Sequence, residues 1–109
     1  MERLAMIYRA RPGRKEEYVR AHNNLWREID DVLRRGSVQE MTVFARGDTL
    51  VVLAAMESVT QYREAQIGDA ACERWNEYMT TLLEQPFDAD EPGTFAELEE
   101  VWHWTPQEV

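Results

Sequence analysis

The stretch Glu17–Leu33, EYVRAHNNLWREIDDVL, places apolar and aromatic residues at helical spacing. Tyr18, His22, Leu25, Trp26, Ile29, Val32 and Leu33 recur at intervals of three and four, so a helix turns all of them into one inward stripe. That stripe holds an imidazole, with a phenol one turn before it and an indole one turn after it. Packing alone asks for fewer hydrogen-bonding groups, so the candidate chemistry starts here. The helix is expected to run unbroken from about Arg14 to Arg35. Two arginines at its end suit the negative pole of the helix dipole, and Gly36 follows as a C′ glycine.

Before this helix, Arg3–Ala10 alternates, with Leu4, Met6 and Tyr8 on one face and Ala5 and Ile7 on the other, until Pro12-Gly13 breaks the pattern. After it, Val38–Ala45 and Thr49–Glu57 are rich in strand formers, and Arg46-Gly47-Asp48 joins them as a hairpin turn. The run Leu50–Met56 is apolar on both faces. Ser58 is placed to cap a short helix to about Gln66, and a second helical segment starts at Asp69 with the stripe Cys72, Trp75, Met79, Leu82 and Leu83, Tyr78 alongside. Pro86 stops it, Asp88–Gly93 reads as a loop, and Phe95–Trp104 closes the chain as a strand. Leu98, Trp102 and Trp104 share one face of that strand, Val101 and His103 the other.

The order β-α-β-β-α-β with a split last helix predicts a ferredoxin-like α+β fold, one domain over residues 1–109. Two helices cover one face of a four-stranded antiparallel sheet. The other face stays open although its strands are apolar, so a second copy is expected to cover it, giving a homodimer of the dimeric α+β barrel kind.

The 109 residues suit a single domain, and 44% hydrophobic residues with four Trp argue for a packed core. A net charge of −9 disfavours nucleic acid and anionic membranes as partners. Cys72 is the only cysteine, which rules out an intramolecular disulfide and fits a reducing cytoplasm. The N-terminus shows no apolar signal region, and the longest apolar run is far short of the roughly 20 residues that span a bilayer. Two histidines and one cysteine, none at ligand spacing, give a zinc site no support.

Three groups of residues carry a resemblance: Glu16-Glu17-Tyr18 with His22-Asn23 and Trp26; Cys72-Glu73-Arg74-Trp75 with Tyr78-Met79; and Glu97-Leu98-Glu99-Glu100-Val101. In this order, over nearly the whole chain, they resemble the L-rhamnose mutarotases. The resemblance implies an aldose 1-epimerase that interconverts the α and β pyranose anomers of L-rhamnose, with a monosaccharide as ligand and no metal or organic cofactor. It also implies that His22 is the proton donor, that Tyr18 binds the sugar, and that an aromatic pair in the last helix lines the pocket. The chain departs from the family pattern at four places. Asn76 follows Trp75 where the family has a second Trp, Met41 aligns with a family tyrosine, Gln85-Pro86-Phe87-Asp88 replaces an Asn-Pro-Asp-Asn-like loop, and no proline follows Trp26. His22 is therefore the candidate catalytic residue, and Tyr18, Met41, Trp75 and Asn76 are the candidate sugar-binding positions. The departures bear on which sugar is taken.

Mutarotation takes a proton from the anomeric hydroxyl and gives one to the ring oxygen, so it needs a group able to do either near neutral pH. An imidazole of ordinary pKa near 6.5 is the natural choice. Each residue also has a plainer reading. His22 is then a core histidine satisfied by backbone, Tyr18 a packed phenol with its hydroxyl in solvent, Trp75 a core anchor and Asn76 a surface amide. Trp26 and Tyr78 read as packing and His103 as exposed, while Asp30-Asp31, Glu99-Glu100, Asp88, Asp90 and Glu91 read as solvated surface. Two other functions share the architecture: a cofactor-independent monooxygenase, marked by oxygen uptake with a quinol-like substrate, and a non-catalytic ligand-binding dimer, marked by sugar binding without rate enhancement.

Overall fold

The computed structural model describes residues 1–84 and 97–106. Their elements are β1 (Glu2–Arg9), α1 (Lys15–Asn23), α2 (Arg27–Arg35), β2 (Val38–Arg46), β3 (Thr49–Met56), α3 (Val59–Gln66) and α4 (Ala70–Leu82). Among the described residues the sheet has three antiparallel strands in the order β1-β3-β2. The central place of β3 explains its two apolar faces. Leu50, Val52, Ala54 and Met56 are buried under the helices, and their cross-strand partners Leu4, Met6 and Tyr8 on β1 and Met41, Val43 and Ala45 on β2 share that inward side. On the other side Leu53 and Phe44 are left 43% and 58% exposed.

The local signals around β3 act as expected. Arg46 pairs with Thr49, leaving Gly47-Asp48 as a two-residue turn with Gly47 at φ +58°, a conformation that glycine adopts without a Cβ penalty. The Ser58 hydroxyl accepts the Gln61 N–H at 3.1 Å to start α3, and the Asp69 carboxylate accepts the Cys72 N–H at 2.9 Å to start α4. Burial pushes the Cys72 thiol pKa up, so this lone cysteine sits in the core as a small apolar group.

The single long helix is corrected to two. Asn24 closes α1 by sending both its backbone N–H (3.0 Å) and its side-chain amide (2.9 Å) to the Arg20 carbonyl, and Trp26 restarts the chain from an extended conformation as the N-cap of α2. Asparagine competes with the helix for its own backbone, and Asn23-Asn24 lie where the break falls. The inward stripe survives but divides. Tyr18 and Ala21 enter one cluster, over Leu50, Met79 and Leu82; Leu25, Trp26, Ile29, Val32 and Leu33 enter a second, against Ala71 and Cys72.

The exit from α2 also differs from expectation. Gly36 has φ −80°, and the left-handed residue is Ser37 at φ +63°. Ser37 is held there by its hydroxyl, which accepts the Ser58 N–H at 3.1 Å, and by its carbonyl, which accepts the Glu57 N–H. Space at Gly36 is tight, because a Cβ there would lie 3.1 Å from the Tyr62 Cα and 3.3 Å from the Val32 carbonyl, so a side chain needs α3 to give by a few tenths of an ångström.

The closing strand is found only as a start. Glu97 forms an antiparallel bridge with Met6, and the Leu98 N–H donates to the Ala5 carbonyl at 2.7 Å, on the free edge of β1. Beyond it residues 99–106 form no ladder and are tied instead through Arg3, which pairs with Glu100 and donates to His103 Nε2. Val101 and Trp102 are 84% and 79% exposed. Phe95, Pro86 and the Asp88–Gly93 loop lie outside the described residues. No described helix is long and apolar enough to cross a membrane.

Candidate active site

The site is assembled where α1 and α4 meet over β1 and β3. The end of α4 is pinned to the end of β1: Ala10 bridges Leu83, the Arg11 N–H donates to the Leu82 carbonyl, and the Arg11 guanidinium donates to the Leu83 and Thr80 carbonyls at 3.0 Å each. That guanidinium satisfies carbonyls at the helix end that have no partner within the helix.

His22 is half-buried one turn after Tyr18, and its Nδ1 lies 2.8 Å from the Tyr18 carbonyl. A carbonyl can only accept, so Nδ1 carries the proton and Nε2 of the neutral ring carries the lone pair. Burial lowers the His22 pKa below its ordinary 6.5, opposed only by the hydrogen bond to Tyr18. The ring is neutral near pH 7, with Nε2 basic. Tyr18 is buried, and burial pushes its phenol up to about 12, so it remains a neutral hydroxyl.

Rings surround the imidazole. Tyr18 lies 4.1 Å from it, centroid to centroid, and Trp75 meets it edge-on at 5.3 Å. Trp75 also stands edge-on to Trp26 at 5.1 Å and to Tyr78 at 6.2 Å, while Trp26 and Tyr78 lie parallel within 8°. Trp75 packs against both apolar clusters and so joins the α1 half of the core to the α2 half.

The structure therefore brings His22, Tyr18 and Trp75 together. Met41 is half-buried on the inward side of β2 opposite Ala54, and Asn76 is exposed on α4; neither belongs to the ring array. Trp26 and Tyr78, read from the sequence as packing, form two of its members, and Trp26 already stood on the stripe. Tyr8 is the residue that the sequence reading left as strand pattern only. It lies on the inward face of β1 against the Tyr18 cluster, and only the β1–β3 register reveals this. Among the described residues no group of three or more His, Cys, Asp or Glu converges as a metal site. A surface hollow lined by Arg35, Gln61, Ile67 and Asp69 lies at the α3–α4 corner and includes none of these rings.

A family model for L-rhamnose mutarotase matches residues 3–104. The L-rhamnose mutarotase of Klebsiella pneumoniae subsp. pneumoniae is 30% identical over 104 residues, covering 94% of this chain and 98% of that protein. That of Burkholderia orbicola is 32% identical over 84 residues, 76% and 81% of the two chains. Among solved structures, L-rhamnose mutarotase FA22100 from Formosa agariphila superposes with a TM-score of 0.75 at 23% identity, covering 96% of this chain and 100% of that one. Tetracenomycin F2 cyclase from Streptomyces glaucescens superposes with a TM-score of 0.78 at 17% identity, covering 98% and 100%. Two different activities on one fold leave the fold silent on function, and the match along the sequence decides between them. The matched proteins are isomerases that act on sugar anomers. The chain belongs to the L-rhamnose mutarotase family.

Proposed function

We propose that this chain is an aldose 1-epimerase that interconverts the α and β anomers of L-rhamnose or a related 6-deoxy aldose, with His22 moving the proton. The observation that carries the reading is the anchored imidazole, its Nδ1–H on the Tyr18 carbonyl and its ring 5.3 Å from that of Trp75, which leaves Nε2 as the basic nitrogen. Both oxygens that exchange protons are bonded to C1 of the sugar. Nε2 takes the O1 proton, the C1–O5 bond breaks as C1 becomes an aldehyde carbon, and the imidazolium returns the proton to O5. Rotation about C1–C2 and the reverse steps give the other anomer, with no net gain or loss of protons. The Tyr18 hydroxyl holds the sugar as a neutral donor, and the Trp75 indole offers its face to ring C–H groups. Met41 and Asn76 stand where the family pattern has other residues, so they bear on which aldose is preferred.

Saturation-transfer NMR on L-rhamnose tests the reading, with faster anomer exchange in the presence of the protein as the expected result. The exchange rate should fall as the solution is acidified, because protonation removes the Nε2 lone pair. The midpoint should lie below 6.5, since burial disfavours the charged ring. A rate that rises on acidification through this range contradicts a neutral His22 as the base.

The reading includes a homodimer in the cytoplasm. Its support is the exposed apolar side of the sheet, Phe44 and Leu53, together with the exposed Leu98, Val101, Trp102 and Trp104 of the C-terminal arm. Sedimentation at micromolar concentration should give twice the 12.8 kDa of one chain, and a single-chain mass at all concentrations removes the dimer.

A further inference from the structure

The break at Asn24 moves Trp26 off the end of α1. Trp26 lies four residues after His22, yet it opens α2 from an extended backbone, and its carbonyl accepts the Ile29 and Asp30 N–H groups at 3.0 Å each. Its ring meets Trp75 of α4 edge-on at 5.1 Å. Tyr78 also meets Trp75 edge-on, but it stands three residues further along the same helix and moves with it. Trp26 instead ties Trp75 to the segment that leaves His22. Trp26 and Tyr78 are parallel within 8°, and the Trp75 indole is turned 84° from one and 88° from the other. One orientation of Trp75 thus meets both rings edge-on, and turning the indole loses both contacts.

The imidazole depends on that orientation. The hydrogen bond from Nδ1 to the Tyr18 carbonyl, 2.8 Å long, sets its tautomer, and a histidine ring free to turn samples both tautomers. Rings packed beside the imidazole restrain such turning: Tyr18, tilted 33° at 4.1 Å, and Trp75 at 5.3 Å. Tyr18 is fixed in the core, only 3% exposed, whereas Trp75 keeps part of its surface in solvent and relies on its neighbours. Trp26 is itself braced by the cluster of Ile29, Val32, Ala71 and Cys72.

We propose that Trp26 is a positioning residue for anomer exchange: it holds Trp75 edge-on, and Trp75 keeps the His22 ring where Nδ1 bonds the Tyr18 carbonyl and Nε2 serves as the base. This rests on the reading of His22 as that base. The test compares wild type with Trp26→Leu, which keeps an apolar side chain without a ring, and with Trp26→Phe, which restores a ring. NMR of protein carrying isotope-labelled histidine, at a pH where the ring is neutral, reads the tautomer from the nitrogen shifts. The chain has two histidines, and His22→Ala assigns the signals of His22. Wild type should carry the proton on Nδ1, and in Trp26→Leu the two nitrogens should move toward a common averaged shift. The kcat for L-rhamnose, read at saturating sugar, should fall about 10- to 100-fold, the cost of misplacing a reacting group by up to about 1 Å. Trp26→Phe should recover most of the tautomer preference and most of kcat. A residue that only supports the fold lowers the melting temperature and leaves the His22 nitrogen shifts as they are in wild type. Trp26→Met takes the place of Trp26→Leu if the latter unfolds at the assay temperature. A His22 tautomer unchanged without the Trp26 ring overturns the proposal, as does an unchanged kcat. Wild type without anomer exchange, but with a tautomer that Trp26→Leu scrambles, refutes the epimerase and leaves Trp26 as the residue that positions the ring.

Discussion

His22→Ala should slow anomer exchange by about 10²- to 10⁴-fold, the range that one positioned acid–base group contributes. The ring is anchored at Nδ1 by the Tyr18 carbonyl 2.8 Å away, so its Nε2 is held in one direction without help from a charged side chain. Alanine leaves the helix intact and removes the nitrogen. Because His22 is only half-buried and spends its one hydrogen bond on its own helix, the fold should lose little, and the melting temperature serves as the control. Saturation-transfer NMR on both proteins at matched concentration makes the comparison. A variant as fast as wild type removes His22 from the reaction and returns it to a packing residue.

Trp75→Ala should cost about 3 kcal/mol, the low end for loss of a large core aromatic, because the indole keeps part of its surface in solvent. For a chain of this size that is a fall of roughly 10 °C or more in melting temperature. The size of the effect follows from position. Trp75 touches both apolar clusters and meets His22, Trp26 and Tyr78 edge-on, so its removal opens the seam between the α1 and α2 halves of the core. Trp75→Phe keeps much of that packing and should recover most of the stability. It should recover less of the sugar affinity, since the N–H and the wider face are gone. Denaturant melts of the three proteins decide the first point. A loss below 1 kcal/mol in Trp75→Ala means that the clusters hold together without it.

The two effects separate the uses of one ring array. On the proposed reading, removing the imidazole should take chemistry and leave the fold, and removing the indole should take fold and binding together. A residue that binds substrate and also braces the core is constrained on both counts. By contrast Asn76 is exposed on α4 and is free of the packing constraint.

The strands β1, β2 and β3 and the caps at Ser58 and Asp69 were legible before any coordinates, because each rests on residues within a few positions of one another. The same holds for the stripe through Tyr18, His22 and Trp26: helical periodicity picks out the inward residues whether or not the helix is continuous. The periodicity could not show that the helix breaks at Asn24, where a local amide outcompetes the next turn, nor that Ser37 rather than Gly36 takes the left-handed turn. Gly36 looks like a helix stop in sequence and sits in three dimensions where Tyr62 of α3 leaves a side chain little room. The fourth strand was expected from alternation alone, yet among the described residues only Glu97 and Leu98 engage the β1 backbone, while Glu100 and His103 are held by the Arg3 side chain.

Sequence alone was enough to find the imidazole and its two aromatic neighbours on one helical face. Which nitrogen of His22 carries the proton, which indole closes the other side and that Tyr8 rises from the sheet beneath were settled by tertiary structure. These depend on a carbonyl 2.8 Å away, on α4 pinned to the end of β1, and on the register of β1 with β3. Such distances join residues far apart in the chain, and no local periodicity records them.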